Sequence, residues 1–212
     1  MLKLYYFPGA CSLACHIALE WTGSAYQTVR MSLASTKSPE YLALNPNGVV
    51  PLLEHEDFLL TENAAILGYI AELHPHAGLL GDGSARARAD VMRWLAYLNS
   101  DVHPAFKPIF SPSRFIDDRT QAEVLANRAR ANVTTHLQRI DRHLEGRDWL
   151  TGERSVADPY LFVMLRWAEN KVGSLDRFGN LVRFMERMFS DDAVMAAVAS
   201  EEGDFNRAGG RS

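Results

Sequence analysis

The sequence predicts two units in tandem, an α/β unit of order βαβαββα followed by a unit made of helices alone. Three observations point there. Strand-like and helix-like apolar patterns alternate over the first third of the chain, and the turn signal Asn45-Pro46-Asn47-Gly48 introduces a hairpin pattern. Beyond Pro75 to Ser84, a Gly-, His- and Asp-rich stretch, only helical spacing survives. With 212 residues, 47% of them hydrophobic, the chain is long enough for two modest packed units.

Leu2 to Phe7 is apolar and aromatic and is broken by Pro8-Gly9, which reads as a short buried strand. A helix follows from Ser12 to Trp21, with Leu13, His16, Ile17 and Glu20 at helical spacing and Gly23 as its C-terminal cap. Tyr26 to Met31 is the second strand, and strand-helix-strand within about 30 residues is the size of one right-handed crossover, so these strands should be parallel. A short helical turn around Tyr41 to Leu44 precedes the Asn45–Gly48 turn. Val49 to Glu54 and Phe58 to Leu60 then form a hairpin around His55-Glu56-Asp57, and Thr61-Glu62-Asn63 opens a helix running to Leu73. Pro51 has no N–H to give a ladder, so its place at a strand start needs a special reason, and a cis peptide after Val50 supplies one.

The expected boundaries are 1–76 for the α/β unit, 77–84 for a linker, 85–202 for the helical unit and 203–212 for a flexible tail. The helical unit reads as Ala85 to about Phe110, Thr120 to Leu144, Val156 to Asn170 and Leu181 to Ala199. Ser155-Val156-Ala157-Asp158 has the form of a capping box, a structural feature and not a catalytic one.

Several function classes are disfavoured. A net charge of -4, with scattered Lys and Arg, leaves no basic footprint for nucleic acid. No segment has the length of a membrane span and the first residues lack the form of a signal sequence, so a cytoplasmic protein is expected. Cys11 and Cys15, the two cysteines, are not a disulfide framework and lack the further ligands of a metal site.

Cys11 lies where the first strand meets the first helix. Free N–H groups and the helix dipole there favour a negative charge, so a thiol more acidic than a free cysteine is expected and Cys11 is the best nucleophile candidate. A buried small hydrophobe is the competing reading, and for Cys15, a turn deeper, it is the preferred one. The Val50-Pro51 step can leave backbone N–H and C=O free to pair with an extended peptide. Glu62 would present a carboxylate to an ammonium group, and Asn63 with the helix N–H groups could hold an α-carboxylate; ordinary capping explains both equally well. His103, a lone histidine, is structural by default, as are the phenylalanines and Trp94 and Trp167.

Three stretches carry a family likeness: Leu4 to Leu13, Asn45 to Pro51, and Thr61 to Ile66, joined in the second unit by Ser155 to Tyr160 and Arg166 to Ala168. The chain resembles a bacterial glutathione transferase of the beta class from its first residue to about Glu202. That resemblance implies a thioredoxin-like N-terminal domain, an all-helical C-terminal domain, a homodimer, and glutathione as co-substrate with no metal. It assigns Cys11 to the glutathione sulfur with His103 approaching the same site, Val50 and Pro51 to the backbone clamp, Glu62 to the γ-glutamyl end with Asn63 beside it, and Lys37 to the glycyl carboxylate. Ser100 keeps the polar character of its stretch, while Phe106, Phe110 and Trp167 correspond to positions lining the electrophile pocket. Ala96 and Pro104 depart from the asparagine and lysine of the class. The implied activity is conjugation of the glutathione thiol to small apolar electrophiles. The alternatives are a thiol transferase or reductase working through a Cys11 mixed disulfide, and a non-catalytic binding protein of the same fold.

Overall fold

The structure, a computed structural model, describes residues 1–209, with side chains described up to residue 203. Strand β1 (Leu2–Tyr6), helix α1 (Ser12–Thr22), β2 (Tyr26–Arg30), α2 (Pro39–Leu44), β3 (Leu52–His55), β4 (Phe58–Thr61) and α3 (Asn63–Leu73) follow one another in the expected βαβαββα order. They build one four-stranded sheet of order β2-β1-β3-β4, in which β1 pairs parallel with β2 and antiparallel with β3. Alternation along β1 sends Leu2, Leu4 and Tyr6 into the main core, and Tyr5 to a smaller cluster of Met31, Tyr41 and Leu52 on the other face. Gly23 closes α1 in the left-handed conformation at φ 66°.

Three departures from the sequence reading have local causes. The stretch expected to be a linker contains β5 (Leu79–Asp82); Leu79 and Leu80 are buried, and the Leu79 carbonyl accepts from the Val156 N–H at 3.1 Å. The helix expected from Ala85 to Phe110 is broken into α4 (Ala85–Tyr97), a π turn (Leu98–Val102), α5 (His103–Ala105) and α6 (Lys107–Phe110). Pro104 and Pro108 explain the break, since each lacks the N–H for an i→i−4 bond, and the His103 N–H instead reaches the Leu98 carbonyl, five residues back. The last expected helix is two, α9 (Gly179–Phe189) and α10 (Asp192–Gly209), separated where Asp191 Oδ1 accepts from the Ala193 and Val194 N–H groups at 3.0 and 3.1 Å. Helix α10 therefore occupies much of the stretch expected to be a flexible tail, whose final residues, 210–212, lie outside the described residues.

The remaining helices are α7 (Arg119–His143), capped by Asp118, and α8 (Ala157–Lys171). At the head of α8 the Asp158 carboxylate is fully buried and accepts from the Ser155 N–H at 2.7 Å, the Ser155 hydroxyl at 3.0 Å and the Leu150 N–H at 2.9 Å. The capping box is thus present and ties a preceding loop to the helix as well. Among the described residues no helix is long and apolar enough to cross a membrane.

Helix α1 joins the two halves. All of its residues but Glu20 are buried, and it packs on α3 in its own unit and on α8 and α10 of the other, within one continuous apolar cluster.

Because Asp158 satisfies two buried backbone donors, Asp158→Ala should lower stability by about 2–5 kcal/mol, read as a drop in the urea midpoint. Asp158→Asn, which keeps one carboxamide oxygen, should lose less, and equal losses would show that only side-chain volume matters there.

Candidate functional site

Between β1 and α1 the chain turns through Phe7–Cys11, held locally by Ser12, whose hydroxyl accepts from the Phe7 N–H at 3.2 Å. Two long-range contacts then clamp Gly9 from opposite sides. Its N–H donates to Glu201 Oε2 of α10 at 3.0 Å, and its carbonyl accepts from Trp167 Nε1 of α8 at 2.9 Å. Glu201 is itself buried and its other oxygen meets His16 Nδ1 of α1 at 3.3 Å. Glu201, next to the end of the expected helical unit, is thus a buried anchor of the loop that carries Cys11.

Cys11 is half-buried, with its Sγ donating to the Val50 carbonyl at 3.9 Å. The Val50–Pro51 peptide is cis. The loop before it is pinned by Tyr41 Oη and Asn45 Nδ2, both donating to the Val49 carbonyl, at 2.7 and 2.8 Å. Lys37 Nζ donates to the Gly48 carbonyl at 2.8 Å, so it braces this loop from behind. Gly48 has φ 59°, and a side chain there would meet the Thr36 carbonyl at 2.7 Å, which leaves glycine as the residue that fits.

The acidity expected of Cys11 is overturned. Burial pushes its thiol up to about 12, outweighing the backbone donors at the helix start that favour the thiolate, and the carboxylates of Glu62 and Glu201 push the same way. Cys15 is fully buried, its Sγ donating to Asn63 Oδ1 at 3.1 Å, and burial raises its pKa as well. The structural reading of Cys15 fits this surrounding.

Glu62 and Asn63 separate. Glu62 is exposed at φ 71°, a conformation that costs a non-glycine residue of order 1–3 kcal/mol. Its side chain caps nothing on α3, so the capping explanation of Glu62 is withdrawn. Asn63 turns inward to Cys15, and its Nδ2 is buried without a hydrogen-bond partner, facing the Tyr160 hydroxyl.

Opposite Cys11, in the helical unit, His103 completes a cleft of about 510 Å3 whose walls include Phe7–Cys11, Phe110, Trp167, Asn170 and Lys171. His103 Nδ1 lies 2.8 Å from the Tyr160 hydroxyl, which donates to Asn99 Oδ1 at 3.0 Å. A phenol has one proton. With that proton on Asn99, His103 Nδ1 carries its own hydrogen and donates to Tyr160, leaving Nε2 as the acceptor. Burial, with the Lys107 charge adding, holds the His103 pKa down to about 4, so the ring is neutral at neutral pH. Asn99 and Tyr160 have no prominence in the sequence; the signal available was Asn99 lying four residues before His103.

Of the sequence-predicted residues, Lys37, Val50, Pro51, Glu62 and Asn63 lie off the lining of this cleft, and so do Ser100 and Phe106. Ser100 is exposed, its hydroxyl bonded to the Ala96 carbonyl at 2.8 Å and to Asp101 Oδ2 at 2.6 Å. Phe106 is fully buried beneath the wall, stacked on Phe110 at 5.7 Å, so it supports the lining without forming it. Phe110 and Trp167 do line the cleft, edge to face at 5.2 Å. A second hollow of similar size, around Asp82, Arg86, Asp90 and Arg93, is lined by no cysteine or histidine. Among the described residues no His, Cys, Asp and Glu side chains gather as a metal site.

Residues 1–72 match the glutathione S-transferase N-terminal domain family, and residues 94–192 match the corresponding C-terminal domain family. The chain is 45% identical over 201 residues to glutathione S-transferase GST-4.5 of Xanthomonas campestris, covering 94% of this chain and 98% of that protein. Among solved structures it is similar to the glutathione-S-transferase of Xylella fastidiosa, with TM-score 0.92, 45% identity, and 95% and 99% of the two chains covered. It is also similar to the bacterial beta-class glutathione S-transferase of Sphingomonas chungbukensis, with TM-score 0.83, 38% identity, and 94% and 98% covered.

Two outcomes test this geometry. Nitrogen NMR of the His103 imidazole should show a protonated Nδ1 and a bare Nε2, unchanged until a midpoint near 4, against about 6.5 for a free histidine. Glu201→Ala should cost about 2–4 kcal/mol in chemical denaturation, because it strands the Gly9 N–H and the buried His16, and should speed Cys11 alkylation as the loop loosens. Unchanged stability would mean that the clamp on Gly9 carries nothing.

Proposed function

The chain belongs to the glutathione S-transferase family and is a glutathione transferase, and on that premise we propose that its cleft holds glutathione with the sulfur between Cys11 and His103. The observation that carries this reading is a cleft lined by a clamped thiol and a neutral histidine, with the Val50 carbonyl 3.9 Å from that thiol. Glutathione is a peptide, and an extended peptide is recognised by backbone pairing, which the Val50–Pro51 step offers. The Glu62 carboxylate, exposed and uncommitted to capping, suits the ammonium of the γ-glutamyl end. Asn63, whose side chain is turned inward to Cys15, has only its backbone N–H at the head of α3 to offer the ligand. Lys37 acts by bracing the Gly48–Val50 loop and by its charge near the glycyl end. Ser100 has no part in this cleft on our reading, since its hydroxyl is spent on its own helix.

The acidity of Cys11 decides between the two enzymatic readings. A mixed-disulfide mechanism needs the Cys11 thiolate, which burial disfavours here. Conjugation needs only a hydrogen-bond donor beside the glutathione sulfur, and a protonated Cys11 is one. In the proposed reaction the thiol proton passes to His103 Nε2 or to solvent. The sulfur then forms the C–S bond to a small apolar electrophile held against Phe110 and Trp167, while the leaving group departs with its electron pair. A non-catalytic binding role would leave His103, Tyr160 and Asn99 without a use.

We place the enzyme in the cytoplasm as a homodimer, in keeping with the family resemblance. Phe58 and Leu59 on the edge strand β4 and Met92 on α4 are exposed apolar side chains that a second copy would cover.

Retention on immobilised glutathione tests the function, and a protein that flows through would refute it. Alkylation of Cys11 in the ligand-free enzyme should titrate well above the ordinary ~8.5 of a cysteine. Cys11→Ala should lower kcat/KM for conjugation by about tenfold, the worth of one hydrogen bond, and Cys11→Ser should restore most of it. A midpoint below the ordinary value, together with complete loss of activity in Cys11→Ser, would favour the disulfide mechanism.

A further inference from the structure

The main cleft does not end at Phe110. A further hollow of about 410 Å3 adjoins it, lined by Lys107, Phe110, Ser111, Arg114 and Phe115. Phe110 lines both, and its ring is held by Trp167 at 5.2 Å and Phe106 at 5.7 Å, so the two hollows meet at one fixed aromatic plate. Phe110 and Phe115 are 42% and 55% exposed, more apolar surface than an isolated hydrophobe needs to leave in water.

The charges around this plate are of one sign. Lys107 and Arg114 line the outer hollow and Lys171 the inner cleft, and no carboxylate lines either. Elsewhere some arginines have carboxylate partners, Arg88 with Glu72, Arg93 with Asp90, Arg154 with Asp191 and Arg187 with Asp148, while others such as Arg86, Arg128 and Arg142 have no ion pair among the described residues. Arg166, on the same helix as Lys171, is paired with Glu202. Among the described residues, none of Lys107, Arg114 and Lys171 has a carboxylate within salt-bridge distance. The charge of Lys107 is felt inside the cleft, where it disfavours the protonated form of His103.

We propose that the electrophile this enzyme prefers is an aromatic compound carrying an acid group, its ring laid against Phe110 and Trp167 and its carboxylate or sulfonate reaching Lys107 and Arg114. The proposal rests on the transferase reading above and names the acceptor class for the same site. Two aromatic faces recognise a flat ring, and unpaired cations at its rim recognise the anion while rejecting a cationic analogue. The cations are exposed, so the gain is modest and falls with salt. Chemistry is unchanged: the glutathione sulfur forms a C–S bond at the ring carbon, the halide leaves with the bonding pair, and the thiol proton goes to His103 or water.

The test compares a chlorodinitrobenzene with the same ring bearing a carboxylate, each kcat/KM divided by that compound's uncatalysed rate with glutathione. The carboxylated ring should be favoured by about tenfold at low ionic strength, and the ratio should shrink as salt is added. In Lys107→Gln/Arg114→Gln the ratio should fall to about one, and Arg114→Glu should carry it lower still. A ratio of one or below in the native enzyme, or one that the double substitution leaves alone, overturns the proposal while the transferase reading stands. Should neither ring be turned over and immobilised glutathione fail to retain the protein, the transferase reading fails and takes this one with it.

Discussion

The burial of α1 is the constraint on which the rest of the molecule depends. A helix enclosed on nearly every side cannot be completed by the unit that contains it, because its second face is supplied by α8 and α10. The same enclosure buries His16, a polar ring that needs a partner, and Glu201 of α10 provides it while also taking the Gly9 N–H. The loop that presents Cys11 is therefore positioned by two halves of the chain at once. Its geometry is a product of domain packing and not of the strand-loop-helix unit in which the cysteine lies.

Enclosure also sets the chemistry. Cys11 sits at the start of a helix, where free N–H groups and the dipole are worth about 0.3–1 kcal/mol to a negative charge. Removal of water opposes this more strongly, and two nearby carboxylates oppose it too, so the thiol stays protonated. His103 is kept neutral by the same cause. With Cys11 and His103 both uncharged, the negative charge of the reacting sulfur has to come from the substrate's own thiol. Lys107 and Arg114 lie at the aromatic rim, where water still solvates them.

Signals acting over a few residues were legible. Pro8-Gly9 ended β1, Gly23 ended α1, the Asn45–Gly48 turn led to the cis step at Pro51, and Ser155 with Asp158 made the reciprocal cap. The family resemblance brought out Cys11, Val50, His103, Phe110 and Trp167; four of these line the cleft, and the Val50 carbonyl lies 3.9 Å from Cys11 Sγ. Where two local signals conflict, the missing backbone donor outweighs the apolar spacing. Apolar spacing from Ala85 to Phe110 suggested one helix, but the missing N–H groups of Pro104 and Pro108 break it, and the π turn that results carries Asn99 just before His103.

By itself the sequence determined the order of elements, the two-unit division of strand-bearing and all-helical segments, and the residue types available for chemistry. These depend on backbone propensity, capping and periodicity, which act within a turn or two of each residue. Only the tertiary structure decided that Glu201 anchors the loop of Gly9, that Tyr160 and Asn99 set the proton on His103, that Phe106 lies under the wall and Phe110 on it, and that the Cys11 thiol is held up rather than down. Each of those outcomes turns on desolvation or on a partner far away in the chain, 192 residues away for Gly9 and Glu201. A string of residues carries no record of which distant groups will share its water-free surroundings until the chain has packed.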